Sequence, residues 1–202
     1  HTPEAACMAK CGFFGRLQRP APADGAPVAI WRLGAGDLEG IVREGLTSVL
    51  ERSFVAHLED LLQSGRAASQ RRTCVVRCRL VLDAQGMSVG LIIKRRNLVK
   101  RLLALGKAYF PEVNASVTVV RAPKMMAQIW TMVEPFLTPV MRAKVCILGD
   151  DFEAGLGAHS GLELSALPAF LGGQASDGDI CAAMPVPKGA GVALRSAIKA
   201  GA

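Results

Sequence analysis

Glu112 and Lys144 are the charged residues best placed, by type and spacing, to hold a polar group. Each stands at the edge of a β-type run, Glu112 before residues 117–121 and Lys144 at the start of residues 144–148. In neighbouring strands they would lie close together. Two readings of such a pair stand side by side. One is a surface ion pair worth about 0–1 kcal/mol. The other is a pair that orients a polar headgroup at the rim of an apolar cavity.

Two further stretches have the outline of a reactive site. Gly34-Ala35-Gly36-Asp37-Leu38-Glu39-Gly40 follows a strand-like run and opens a helix, the setting of a dinucleotide-binding turn. Its spacing is off by one residue, and no acidic residue ends a second strand about 20 residues on. A turn with Asp37 as the helix cap accounts for it, while a nucleotide-dependent α/β enzyme built on this turn is the alternative. Ala158-His159-Ser160-Gly161-Leu162 has the outline of a G-x-S-x-G nucleophile elbow. Ala158 and Leu162, however, occupy the glycine positions that relieve the strained turn, and no strand precedes Ser160. A polar surface loop is the better account. The six cysteines, at positions 7, 11, 74, 78, 146 and 181, form no C-x-x-C pair. No metal site and no cofactor are expected, and the pattern suits a reducing compartment.

These residues must be positioned by a chain of 202 residues, half of them hydrophobic and 5% aromatic. Leu, Val, Ile, Met and Ala therefore build the core of one domain. The net charge of +7 favours anionic partners. No run reaches the roughly 18 apolar residues of a membrane span. The chain begins at His1, so it is expected to be a fragment or a processed form, with any targeting signal upstream of it.

Four strands are expected, at residues 28–33, 73–83, 117–121 and 144–148. In the second, Cys74, Val76, Cys78, Leu80 and Leu82 alternate onto one apolar face. Helices are expected over residues 38–62, with interruptions at Gly40 and Gly45, and over residues 92–107. Residues 64–72 read as a polar, basic link. Strands alternating with helices predict an α/β fold with a mainly parallel or mixed β-sheet. The helix after Pro123 is unusually apolar. Met125, Met126, Ile129, Trp130, Met132 and Val133 cover more than the roughly 100°-wide stripe that packing on one sheet requires. It should face a second apolar surface. Lys94, Arg95, Arg96, Lys100, Arg101 and Lys107 form the basic outer face of the preceding helix, a solvated surface or a footprint for anionic lipid. Without interleaved aromatic residues it does not suit nucleic acid.

An ordered series of motifs resembles the CRAL-TRIO lipid-binding family. It runs Tyr109-Phe110-Pro111-Glu112, Val119-Val120-Arg121-Ala122-Pro123, Glu134-Pro135-Phe136-Leu137, Arg142-Ala143-Lys144-Val145-Cys146-Ile147-Leu148-Gly149 and Leu167-Pro168-Ala169-Phe170-Leu171-Gly172-Gly173. Asp83-Ala84-Gln85-Gly86 and Gly25-Ala26-Pro27-Val28 resemble its upstream motifs. The resemblance implies a sheet that floors a hydrophobic pocket under a mobile gate helix. It implies non-enzymatic binding of a single lipid or other lipophile, with transfer between membranes or presentation to other proteins. The lipid domain would span residues 12–173, after an irregular segment at 1–11 and before a disordered Gly/Ala/Pro-rich tail at 174–202.

By the same resemblance, Glu112 and Lys144 occupy the positions that hold inositol phosphate in phosphatidylinositol-transferring members. The pocket would be lined by Val76, Cys78, Leu80, Leu82, Met126, Ile129, Trp130, Val133 and Phe136. The chain departs from such members at Met141, where a headgroup threonine stands, at Cys78 and Leu80, where hydroxyl residues stand, and at Arg121, in place of asparagine. Met141, Cys78 and Leu80 imply a less polar cavity. A monomer, cytoplasmic and touching membranes only peripherally, is expected, with no nucleic-acid partner. A degenerate lipid fold kept as an interaction or regulatory module is a further alternative.

Overall fold

The computed structural model describes residues 3–11, 13–17, 24–175 and 180–181. Among these residues six strands form one sheet in the spatial order β5-β4-β3-β2-β1-β6. They are β1 (Phe13–Leu17), β2 (Val28–Arg32), β3 (Cys78–Asp83), β4 (Asn114–Val120), β5 (Val145–Ile147) and β6 (Ile180–Cys181). The steps from β2 through β5 are parallel. β1 runs antiparallel to both β2 and β6. The sheet is therefore mixed, as the strand–helix alternation predicts, with two strands beyond the four expected.

Among the described residues, eight α-helices surround it: α1 (Pro3–Lys10), α2 (Leu38–Arg43), α3 (Thr47–Arg72), α4 (Val89–Lys94), α5 (Arg96–Tyr109), α6 (Met126–Val133), α7 (Pro139–Ala143) and α8 (Glu153–Ser160). α1 replaces the irregular segment expected over residues 1–11. Part of the supposed tail, Ile180–Cys181, pairs with β1. The rest of that expectation, from residue 176 on, lies outside the described residues.

Two boundaries moved for a common reason. The basic stretch at 64–72 is the end of α3, not a link. Its alanines are good helix formers, and Arg71 and Arg72 suit a helix C-terminus. The helix stops where Thr73 turns left-handed, at φ 55°. Ser69 Oγ then receives the Val76 N–H at 2.8 Å, which folds residues 73–77 against the helix end. β3 can begin only at Cys78, and Cys74 is exposed rather than buried in a strand.

The sheet is apolar on both faces, as a parallel sheet requires. On one face Val28, Ile30, Val81 and Val120 pack against Phe152 and Leu156 around α8, with Leu162, Leu167 and Leu171. On the other, Ala29, Leu80 and Val117 meet Phe54, Leu58 and Leu61 of α3. Farther along, Val119 meets Val89 of α4 and Met126 and Ile129 of α6.

Asp83 closes the C-terminal end of β3 and is 1% exposed. Its carboxylate accepts Arg121 Nε at 3.0 Å and Nη2 at 2.6 Å. Arg121 Nη1 donates to the Phe170 carbonyl at 2.9 Å, tying the final Leu-Pro…Gly-Gly segment to the sheet. Removing one member of a buried ion pair costs about 3–5 kcal/mol; here Arg32 Nε, 3.5 Å from Asp83 Oδ2, stays beside the carboxylate and keeps the loss at the low end. Asp83→Ala and Arg121→Ala should each lower the urea unfolding free energy by about 3 kcal/mol, and the double variant by clearly less than the sum. Strict additivity in this cycle would show that the two side chains act independently.

Candidate lipophile cavity

α5 and α6 do not close fully onto the sheet. A cavity of about 450 Å³ remains between them. Its floor is made by Trp31, Leu80, Leu82, Val117 and Val119 from β2, β3 and β4. α3 contributes Phe54 and Leu58, and α5 contributes Leu98, Leu102 and Leu103. The helix expected to carry surplus apolar surface, α6, supplies Met126, Ile129, Trp130 and Val133, and Phe136 follows in the adjoining 3-10 turn (Glu134–Phe136). The second apolar surface that α6 faces is this space. Lys100 Nζ lies 4.9 Å from the centre of the Phe136 ring, which joins the end of the α6 segment to α5.

Seven of the nine residues expected in the pocket wall are there, and two are not. Val76 packs with Ala26 and Ala68 behind the C-terminal end of α3, because residues 73–77 are not strand. Cys78 is 1% exposed and sealed among Phe54, Leu58 and Val113. Burial pushes its thiol up to about 12, so it serves as a small apolar side chain.

Glu112 and Lys144 come together, as their placement predicts. Lys144 Nζ donates to Glu112 Oε2 at 3.2 Å and to the Asn114 carbonyl at 3.0 Å. Neither lines the cavity; their neighbours Pro111, Asn114 and Val145 do. The pair thus sits beside one end of the space. Lys144 is mostly covered at 17% side-chain exposure, and Glu112 is open at 53%. Arg77 Nε also reaches Glu112 Oε2, at 3.5 Å, so one carboxylate oxygen holds two cations. Arg77 falls within the residues expected to be strand, an assignment that does not bring it to Glu112. Thr138 is likewise not predicted from the sequence. It lines the cavity three residues before Met141, and its Oγ1 accepts the Met141 N–H at 3.1 Å.

The other candidate sites resolve into structural roles. Asp37 caps α2, with Oδ1 accepting the Gly40 N–H at 2.7 Å. A side-chain carbon at Gly40 would stand 1.9 Å from Asp37 Oδ2, and one at Gly34 would stand 1.9 Å from the Gln85 carbonyl oxygen. These glycines serve close packing, which is the physical account of the Gly34–Gly40 turn. Ser160 Oγ donates back to the Leu156 carbonyl at 2.6 Å within α8, which engages the supposed nucleophile. Of the basic helix residues, Lys94 and Arg95 pair with Glu39, and Arg101 pairs with Glu51. Arg95 first, then Lys94, holds the Glu39 carboxyl below its usual range. No helix among the described residues is long and apolar enough to cross a membrane.

A family model described as "CRAL/TRIO domain" matches residues 22–173. A CRAL-TRIO domain-containing protein of Caenorhabditis elegans is 29% identical over 155 residues, 74% of this chain and 21% of that protein. SEC14 cytosolic factor of Eremothecium gossypii is 27% identical over 176 residues, 86% of this chain and 56% of that one. The phosphatidylinositol/phosphatidylcholine transfer protein SFH7 of Arabidopsis thaliana is 26% identical over 161 residues, 77% of this chain and 29% of that protein. The chain thus spans from about a fifth to little more than half of these relatives. The solved structure of Sfh5 superposes with a TM-score of 0.47 at 17% identity, covering 74% of this chain and 51% of that one.

The cavity floor carries a pH-sensitive support. Trp31 Nε1 donates to His57 Nε2 at 2.8 Å, and His57 is 2% exposed. Burial pushes the imidazole down to about 4 from 6.5. The native state therefore holds His57 neutral, while the unfolded chain takes up its proton below about pH 6.5. The stability from this group is whole above that pH and falls as the pH drops from 6.5 to 4, by about 1.4 kcal/mol per pH unit. His57→Gln keeps an acceptor for Trp31 and should flatten this part of the stability–pH curve, measured by urea unfolding. Parallel curves for the two proteins would show that His57 is not the titrating group.

Proposed function

The chain belongs to the CRAL/TRIO domain family, and on that premise we propose that it binds a single lipid in the α5–α6 cavity, carrying it between membranes or presenting it to other proteins without catalysing a reaction. The observation that carries this reading is an apolar cavity of about 450 Å³ with a cationic cluster beside one end. Its volume falls within the roughly 300–1,000 Å³ of small-molecule sites. Each acyl methylene buried there contributes about 0.8 kcal/mol, so the chain of the ligand supplies affinity and the head supplies selectivity.

For the head, a phosphoinositide is the favoured ligand. Lys144 and Arg77 bring two positive charges to the single carboxylate of Glu112, leaving one charge in excess for a phosphate. Lys144 acts as a point charge, whereas the Arg77 guanidinium can form a fork. The relative named as a phosphatidylinositol/phosphatidylcholine transfer protein is consistent with this choice.

Loading requires α6 to move. Met125 at its start and Val140 in α7 are exposed at 53% and 54%, and Arg96, Lys100 and Lys107 lie on α5. These residues suit transient contact with an anionic membrane surface from the cytoplasmic side. The protein acts there as a peripheral monomer.

The test is lipid transfer between vesicles, joined to the mass of the lipid that co-purifies. Lys144→Ala should lower phosphoinositide transfer about tenfold more than transfer of an uncharged lipid, since a charge-assisted hydrogen bond is worth roughly 1.5 kcal/mol or more. Equal losses for the two lipids would reduce Lys144 to a support of the fold. Trp130→Asp puts a charge in the cavity wall and should depress uptake of every lipid by tenfold or more. Full uptake by that variant would mean that α6 does not cover the ligand.

A further inference from the structure

Asn114 has a polar group for which the protein has no use, and its place bears on which ligand the cavity accepts. Asn114 lines the cavity beside Lys144, and its Oδ1 is buried without a hydrogen-bond partner. A buried oxygen of this kind is destabilising unless a donor reaches it. The backbone holds the residue firmly. The β3–β4 register shifts between Cys78, which stands beside Asn114, and Arg79, which stands beside Ser116, so that Ala115 is an extra residue on β4. Such bulges re-aim side chains next to binding sites. Lys144 Nζ pins the bulge by donating to the Asn114 carbonyl at 3.0 Å.

On the lipid-cavity reading above, we propose that Asn114 recognises a hydroxyl group of the bound lipid. A carboxamide offers an acceptor oxygen and an amino group with two donors. A hydroxyl offers one donor and two acceptor lone pairs, so each can satisfy the other, with rotation of the amide selecting the edge used. A trimethylammonium head has no N–H or O–H to give. The site therefore discriminates by hydroxyl content, separately from the charge selection by Lys144 and Arg77. The hydroxyl can belong to a polyol headgroup or to the glycerol alcohol of a neutral lipid.

The experiment compares the full chain with its Asn114→Leu variant, which keeps the branched shape and removes the polar group. Uptake from vesicles is measured for phosphatidylinositol, which has hydroxyls and a phosphate, for diacylglycerol, which has a hydroxyl alone, and for phosphatidylcholine, which has a phosphate alone. The variant should lose about tenfold in affinity for phosphatidylinositol, equivalent to about 1.4 kcal/mol, with phosphatidylcholine unchanged. A parallel loss for diacylglycerol assigns the hydroxyl to any lipid alcohol, and a loss confined to phosphatidylinositol assigns it to the polyol head; both support the proposal. Unchanged phosphatidylinositol uptake, or equal losses with phosphatidylcholine, would overturn it and leave the lipid cavity standing. Failure of the unsubstituted chain to take up any of the three would overturn the cavity reading as well.

Discussion

The forked contact between Arg121 and Asp83 governs the geometry of the cavity side of this protein. Asp83 is buried at the end of the central strand, and its two oxygens are held by Nε and Nη2 of one guanidinium. Arg121 leaves β4 with φ at 52°, a left-handed conformation unusual for a non-glycine residue. The side chain bonds that reach Asp83 and Phe170 hold that conformation. The turn sends the chain away from the sheet and into α6. Without it, the most apolar helix would have no fixed starting point over the cavity.

The two faces of the sheet then meet different fates. Around α8 the apolar residues are shut off from solvent, with Ile30, Val81, Val120, Leu156 and Leu167 all at 0% exposure. Under α5 and α6 the same kinds of side chain line an open volume. Wall atoms facing a void forfeit dispersion contacts. Under the proposed function a lipophile would restore those contacts, and the apolar face that the protein leaves unpacked would then be the source of binding energy. Methionines at 126 and 141 suit such a wall because their flexible side chains adapt to shape.

Charge is concentrated beside one end of that volume and is weakly held there. The Glu112 carboxylate is more than half exposed, and its contacts to Lys144 and Arg77 are 3.2 and 3.5 Å. Exposed pairs of this kind contribute little to stability. Under the proposed function their arrangement serves to position a headgroup rather than to support the fold. The Asp83–Arg121 pair, buried and forked, has the opposite character.

Much of this was legible in the residues themselves. Alternating strand and helix patterns predict the mixed α/β sheet, the excess apolar surface at residues 125–133 predicts a second apolar surface opposite α6, and the placement of Glu112 and Lys144 predicts their contact. Local pattern determines these features because a helix or strand must bury whichever residues its period aligns. The exclusion of Val76 and Cys78 from the cavity was not legible. The alternation at residues 74–82 is real, but Ser69 and the left-handed Thr73 decide where the strand can start. Arg77, Thr138 and Asn114 were likewise hidden. Each reaches its place through a register shift, a helix cap or a contact tens of residues away. By itself, then, the sequence determined which faces are apolar and that the helix after Pro123 needs a second apolar surface. Only the tertiary structure decided which polar groups stand at its end, because that depends on how separate elements align once they are packed.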